Sequence, residues 1–330
     1  MKEDPAPKSS PWWILLPLSA AFFYTVSNAL MRHVATEGVD PSLTIGIRES
    51  VAFYVGLAIF GTLWLRGKVR MPSPRLWALA LVAFVLVQVV GNLFMQVAFN
   101  EIGMAAGVAG NWAGVLLGTP FVGWVMLREK ISGLTVVAIV CVLAAVFCLM
   151  AGAEVQETAQ SVQQNQNTTF VTLVVMVLVV LGGLCFALGN CTIRVLSQAG
   201  ISPFFPMFLL PGIGFLTLVS LSFAKNGIHA CSALSWSDYG YIYVAGISNA
   251  VAFLSLILGL KYLTLIRASI GNATQLMMAP LAGFLIFHEP MNALVVTGVL
   301  LTLAGLVLSN WPTNQAKEHT GTASQEPPTE

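Results

Sequence analysis

Ten long apolar runs follow one another along the chain, each ended by charged or turn-forming residues. Each run has about the 20 residues that an α-helix needs to cross a bilayer. The runs are continuously apolar, whereas the strands of a membrane β-barrel alternate in polarity. The pattern therefore predicts an all-α, polytopic membrane protein with ten transmembrane helices, at residues 12–31, 44–65, 76–99, 103–127, 132–150, 169–195, 203–223, 239–260, 268–287 and 293–311.

The composition excludes several classes of protein. Apolar residues make up 57% of the 330 positions and charged residues 9%, whereas a soluble domain carries about 25% charged residues. The net charge is +1 without a basic cluster, so no nucleic acid partner is expected. The cysteines lack metal-site spacing, the histidines are scattered, and no phosphate-binding loop motif is present. We therefore expect no cofactor, no metal and no enzymatic activity.

The basic residues predict the orientation of the chain in the membrane. If the N-terminus is cytoplasmic, only Arg32 and Lys225 lie in outside connections, and Arg48 lies within a span. This bias follows the positive-inside rule and predicts that both termini are cytoplasmic. The polar tails at residues 1–11 and 312–330 are predicted to be disordered. The twelve basic residues on the inside are Lys2, Lys8, Arg66, Lys68, Arg70, Arg75, Arg128, Lys130, Arg194, Lys261, Arg267 and Lys317.

The two halves of the chain resemble each other. Each half, at residues 12–151 and 169–311, holds five spans, and a polar linker at 152–168 joins them outside the cytoplasm. Five is an odd number, so the second half must insert upside down relative to the first. Inverted repeats of this kind surround a midplane cavity in many secondary transporters. The recurring residues are Asn28 and Arg32 (Asn190 and Arg194), Gly38 and Pro41 (Gly200 and Pro203), and Pro120, Gly123 and Glu129 (Pro280, Gly283 and Glu289).

These features resemble the EamA-type branch of the drug/metabolite transporter (DMT) superfamily. The resemblance is carried by the Ile-Arg-Glu-Ser sequence at 47–50, the runs 120–129 and 280–289, and the final span with Gly298 and Gly305. It implies two inverted five-helix repeats and the export of amino acids, other metabolites or drugs. Its motifs identify the family well and the substrate poorly. Glu49 beside the family arginine departs from the simplest pattern, and Pro211 stands at its counterpart in the seventh span.

Arg48 and Glu49 are the charged residues that lie clearly within a span. The apolar run after them, 51–65, is too short to cross a core of about 30 Å, so the span must include both. Three interpretations remain open. The two side chains could extend to the outer interface. They could line a water-filled cavity and bind a charged or zwitterionic solute. They could also form a structural ion pair with another helix.

Uncharged polar residues suggest the rest of a binding site. Gln88, Asn92 and Gln96 are spaced four apart and should share one helical stripe, as should Asn272 and Gln275. Such amides could line a polar cavity or hydrogen-bond between helices. Trp112 lies mid-span beside Asn111, where it could stack on a substrate or face lipid. For the single amides we expect helix packing; these are Asn28, Asn190 and Asn249.

Two prolines are candidates for a gate. Pro120 and Pro280 occupy equivalent places in the two halves, and each removes a backbone hydrogen bond and should bend its helix. The fourth span also carries a ladder of glycines that permits close helix packing. These features predict hinges in the fourth and ninth spans.

Taken together, these patterns predict a secondary transporter of the plasma membrane, or bacterial inner membrane. We expect it to export a small organic metabolite, with amino acids or related compounds the leading class, by alternating access. The alternative is uptake or exchange of a sugar, a nucleotide-sugar or a drug-like compound. The partners are the bilayer and the substrate, with protons as an alternative coupling ion. The oligomeric state does not follow from these patterns.

Overall fold

The computed structural model describes residues 11–37, 39–128, 133–160, 166–227, 234–287 and 291–310. Within these ranges the regular structure is helical throughout. Ten helices follow in chain order: α1 (Leu15–Thr36, after a 3₁₀ turn at Pro11–Ile14), α2 (Pro41–Leu65), α3 (Pro74–Val85, a π-helical segment Leu86–Asn92, and Leu93–Glu101), α4 (Gly103–Val122, continuing as a π-helical segment Gly123–Leu127), α5 (Gly133–Gln160), α6 (Gln166–Gln198), α7 (Phe204–Asn226), α8 (Trp236–Tyr262), α9 (Leu265–Asn272 and Gln275–Phe287) and α10 (Ala293–Asn310).

The helices agree with the ten apolar runs to within about five residues, except that α5 ends at Gln160, ten residues beyond its run. Eight of them are long and apolar enough to cross a membrane. The other two, α5 and α10, contain shorter apolar stretches, Val136–Gly152 and Ala293–Leu308. The prediction of an all-α membrane protein is therefore confirmed. That α5 and α10 also span the bilayer stays a prediction.

The predicted linker at 152–168 is partly helical. Helix α5 continues to Gln160 and α6 begins at Gln166, so both extend into this polar segment. Alanine, glutamate and glutamine make up about half of it and favour helix, although glutamate and glutamine are too polar for a bilayer core. Residues 161–165 lie outside the described ranges, as do most of both tails and the repeat-related Glu129 and Glu289.

Several helix starts are set by local sequence. Asp40 accepts a hydrogen bond from the Ser42 backbone N–H at 3.4 Å, and Pro41 follows it at the first helical position of α2. Ser235 and Asp238 form a capping box at the start of α8. At the start of α9 the Thr264 hydroxyl accepts a hydrogen bond from the Arg267 backbone N–H at 3.3 Å. These polar caps separate helices whose interiors are almost entirely apolar.

Close pairs of helices build the bundle. The most extensive contacts are those of α2 with α7, α4 with α6, α5 with α10, and α1 with α8. At the crossing of α4 and α6, Gly114 lies against the Val180 carbonyl and Gly183, so that any side chain at 114 would overlap the facing backbone. This crossing is the close approach that the glycine ladder predicts.

The outer surface of the bundle is apolar. Large side chains lie more than half exposed there, among them Phe121, Phe147, Leu173 and Leu285. So much exposed apolar surface would promote aggregation in water, and it suits contact with lipid tails. The apolar helices and this surface together identify a multi-pass membrane protein.

Candidate functional site

A cavity lies inside the bundle, bordered by all of the helices except α5 and α10. It encloses about 780 Å³ of empty space, a figure that includes any part open to the outside. Most of the lining residues lie well inside their helices. They are Tyr24, Asn28, Arg48, Glu49, Val87, Asn92, Met95, Asn111, Trp112, Val115, Phe186, Gly189, Asn190, Ile193, Leu210, Asn249, Phe253, Leu256, Asn272 and Gln275.

Arg48 and Glu49 form an ion pair with each other in the cavity wall. Arg48 Nη2 lies 2.6 Å from Glu49 Oε1, and Nε donates to the same oxygen at 3.2 Å. The two side chains are only 7% and 3% exposed, so the interpretation in which they extend to the outer interface is wrong. An ion pair was one of the open interpretations, but its partner was expected on another helix. Adjacent helical residues point about 100° apart, and the long arginine side chain nevertheless reaches the carboxylate beside it.

Neutral amides from two further helices hold the carboxylate in place. Asn249 of α8 donates to Glu49 Oε1 at 3.3 Å, and Gln88 of α3 donates to Oε2 at 3.3 Å. Gln88 also donates to the Leu210 carbonyl of α7 at 3.0 Å. Arg48 donates in turn to Asn92 Oδ1 at 3.2 Å. The pair on α2 is thereby tied to α3, α7 and α8.

The predicted amide stripe on α3 is only partly realised. Asn92 lines the cavity, and its side-chain NH₂ donates to Gln88, which lies fully buried behind it. Gln96 instead donates to the Met31 carbonyl of α1 at 3.3 Å and is absent from the cavity wall. The three residues were expected on one line of a regular α-helix. The π-helical segment Leu86–Asn92 makes wider turns, so a residue beyond it no longer shares that line.

The other predicted residues lie in the cavity wall. Asn111 and Trp112 of α4 are 7% and 3% exposed, so Trp112 does not face lipid. The Asn111 Oδ1 atom is buried and has no hydrogen-bond partner among the described residues. On α9, Gln275 donates to Asn272 Oδ1 at 3.0 Å, across the break at residues 273–274. Both side chains line the cavity.

Three amides expected to serve helix packing also line the cavity: Asn28, Asn190 and Asn249. The recurrence of Asn28 at Asn190 was the sequence signal that could have placed these two together. The aromatic residues Tyr24, Phe186 and Phe253 were not predicted, because aromatic side chains are common throughout apolar spans. Seven carboxamides thus face one space, with the ion pair and an aromatic and aliphatic wall.

The candidate gate prolines lie close to the cavity without lining it. Pro120 follows Val115 by five residues on α4, and Pro280 follows Gln275 by five on α9. Helix α4 becomes π-helical at Gly123, three residues after Pro120, and α9 is broken at residues 273–274, six residues before Pro280. The two cavity walls therefore have irregular backbone close to equivalent prolines. No cluster of three or more His, Cys, Asp or Glu able to hold a metal is found within the described ranges.

Comparison with known proteins agrees with this architecture. A crystal structure of a protein 15% identical to this chain superposes with a TM-score of 0.65, covering 93% of this chain and 98% of that one. At that identity the likeness concerns the fold alone. No curated protein matches. The sequence pattern of the EamA-like transporter family matches residues 173–311. This part of the chain is therefore an EamA-like transporter domain, which confirms its resemblance to the EamA-type transporters of the DMT superfamily.

Proposed function

We propose that the protein is a secondary transporter that exports a small organic metabolite by alternating access around the cavity. Amino acids and related compounds are the leading substrate class. The observation that carries the proposal is the cavity itself, a space inside an apolar bundle whose walls come from eight helices and carry seven carboxamides and an ion pair. Polar and ionisable residues within a membrane are costly to insert, so their collection around one space indicates a path for a solute.

The pairing of helices supports an inverted repeat. In such a repeat each helix corresponds to the helix five positions away in the chain, so that α1 corresponds to α6 and α3 to α8. The contact of α1 with α8 then has its counterpart in the contact of α6 with α3. Likewise, the contact of α4 with α6 corresponds to that of α9 with α1, and the contact of α2 with α8 to that of α7 with α3. All of these pairs are in contact. The pairs α2 with α7, α4 with α9 and α5 with α10 exchange into themselves and are in contact too. A two-fold relation between the halves accounts for the whole set.

The cavity chemistry suits a zwitterion. Arg48 Nη1 makes no hydrogen bond to the described residues, so it could receive a carboxylate. The unpartnered Asn111 Oδ1 could accept from an ammonium group. The carboxamides replace hydration water without adding net charge, and Trp112 offers a face for an apolar or aromatic group. Glu49 already accepts four hydrogen bonds, about its full capacity, and is less suited than Asn111 to hold the ammonium.

Uptake or exchange of a sugar is the second candidate, since carboxamides also bind hydroxyl groups well. A nucleotide-sugar fits less well, because its phosphates need cations and the cavity's Arg48 is already neutralised by Glu49. Protons are the alternative coupling ion, for which Glu49 is the carboxylate in the cavity wall.

A metabolite screen tests the proposal. Cells expressing the wild type, an Arg48→Gln variant of matched abundance, or no protein are compared by mass spectrometry of cells and medium. We expect one or a few metabolites to fall inside the cells and rise in the medium with the wild type alone. The opposite change, a rise of the metabolite inside the cells and a fall in the medium, would establish uptake. Identical profiles in all three strains would refute a transport function for this cavity.

A further inference from the structure

We propose that Glu49 sets the charge selectivity of the cavity by cancelling the charge of Arg48, so that the protein selects solutes of zero net charge. This inference rests on the proposed function and assigns Glu49 a positioning role. The carboxylate fixes and neutralises Arg48 and does not itself grip the solute.

The first argument is the charge inventory of the cavity wall. Among its described lining residues, only Arg48 and Glu49 carry a formal charge at neutral pH. The facing groups on the neighbouring helices are neutral: Gln88 and Asn92 on α3, the Leu210 carbonyl on α7 and Asn249 on α8. The cavity therefore has no net charge while both partners are present.

The second argument is how the carboxylate is held. Glu49 receives two hydrogen bonds from Arg48, one from Asn249 and one from Gln88, with its side chain only 3% exposed. Gln88 itself fits because residue 214 on α7 is glycine; a side chain there would contact the Gln88 amide at 2.6 Å. Packing and hydrogen bonds from three helices thus fix the Glu49 charge beside Arg48.

The consequence follows from the cost of unbalanced charge in a low-dielectric space. A monoanion or monocation entering a neutral cavity gives up its hydration without gaining a counter-charge, whereas a neutral solute has less hydration to lose and a zwitterion brings its own counter-charge. Removing Glu49 leaves Arg48 buried and unpaired, and an anionic solute then restores neutrality. Removing Arg48 leaves Glu49 buried and unpaired, and a cationic solute then restores neutrality.

A set of charge variants tests the inference on detergent-purified full-length protein. Glu49→Gln gives the cavity a charge of +1, Arg48→Gln a charge of −1, and the double variant returns it to zero. The probes share a phenyl group and differ in charge: L-phenylalanine (zwitterion), 3-phenylpropionate (anion) and phenethylamine (cation). Binding is measured as the ligand-induced shift in Tm. Uptake into proteoliposomes is measured in parallel, with leakage into protein-free liposomes subtracted.

We expect the wild type and the double variant to prefer L-phenylalanine, Glu49→Gln to prefer 3-phenylpropionate, and Arg48→Gln to prefer phenethylamine. Each single variant should change the ratio of affinities by about tenfold or more. Glu37→Gln is the matched control, the same chemical change at an exposed position after α1, and should keep the wild-type preference.

Other outcomes separate the two proposals. An unchanged preference for L-phenylalanine in Glu49→Gln, with binding retained, would overturn the charge-balance inference and leave transport standing. The expected switch in binding without any uptake would refute the transport function and support the inference. If neither the wild type nor any variant binds a probe, the charge-balance inference fails, and the metabolite screen decides the transport function separately.

Discussion

The Arg48 guanidinium is the single cationic group that the described cavity wall presents. It is held by Glu49 and Asn92 in a fixed orientation, so its planar fork faces a defined direction in the cavity. Arg48→Gln should therefore reduce export of the metabolite found in the screen at least tenfold, a loss of about 1.4 kcal/mol or more in transition-state stabilisation. Export is measured as initial rates at matched abundance.

Arg48→Lys is the informative companion variant. It keeps the charge and loses the planar fork, so its rate should fall between those of the wild type and Arg48→Gln. Wild-type rates in a well-folded Arg48→Gln protein would mean that the solute binds elsewhere, along the amides and Trp112.

At this scale the sequence pointed to some residues of the cavity wall and missed others. Arg48 and Glu49 followed from the short apolar run after them, and Trp112 from its mid-span position. Their pairing with each other did not follow, because adjacent helical residues usually diverge. The cavity position of single amides such as Asn249 did not follow either, because it depends on how the helices are arranged around one another.

We expect helices α4 and α9 to bend during transport at their equivalent prolines. Pro120→Ala and Pro280→Ala restore a backbone N–H and should straighten the helices next to the cavity, without removing a lining group. Each should slow transport severalfold while membrane abundance changes little. Comparing initial rates with abundance on immunoblots checks this, and wild-type rates in both variants would exclude a hinge at these positions.

Close helix crossing gives a second prediction. Gly114→Ala places a methyl group against the facing backbone of α6 and should destabilise the protein by about 1–3 kcal/mol. The control is Gly61→Ala on α2, where nothing lies within 4 Å of the added carbon. Alanine there should be neutral or stabilising by about 0.5–1 kcal/mol. Equal thermal stability of the two variants in detergent would contradict the close contact of α4 with α6.

The helices themselves were largely predictable, because apolar length is a strong signal in a membrane protein. Their irregular parts were not. Gly91 lies in the π-helical segment Leu86–Asn92 and Gly271 lies just before the break between Asn272 and Gln275, but glycines recur throughout the spans and do not distinguish irregular from regular helix. These irregularities decide which amides on α3 and α9 face the cavity, so the site was less predictable than the fold.

For the whole molecule, the positive-inside bias predicts the topology. Reporter fusions should place both termini and the 66–75 connection in the cytoplasm, and the 152–168 segment outside. Fusions after residues 160 and 310 should report opposite sides, because five spans separate them. The same side for both would contradict an inverted repeat and require that one of the five helices between them, such as α10, does not cross the membrane.

Alternating access is the central claim, and two-sided accessibility of the cavity tests it most directly. Val115 lines the cavity and is only 2% exposed, so a cysteine there, in a chain without its five native cysteines, reports on water in the cavity. Phe147→Cys, on the lipid-facing surface at 74% exposure, is the control and should not react. Alternating access predicts that a membrane-impermeant thiol reagent labels Val115→Cys when added to right-side-out vesicles and also when added to inside-out vesicles. Labelling from one side only, or from neither, would contradict it.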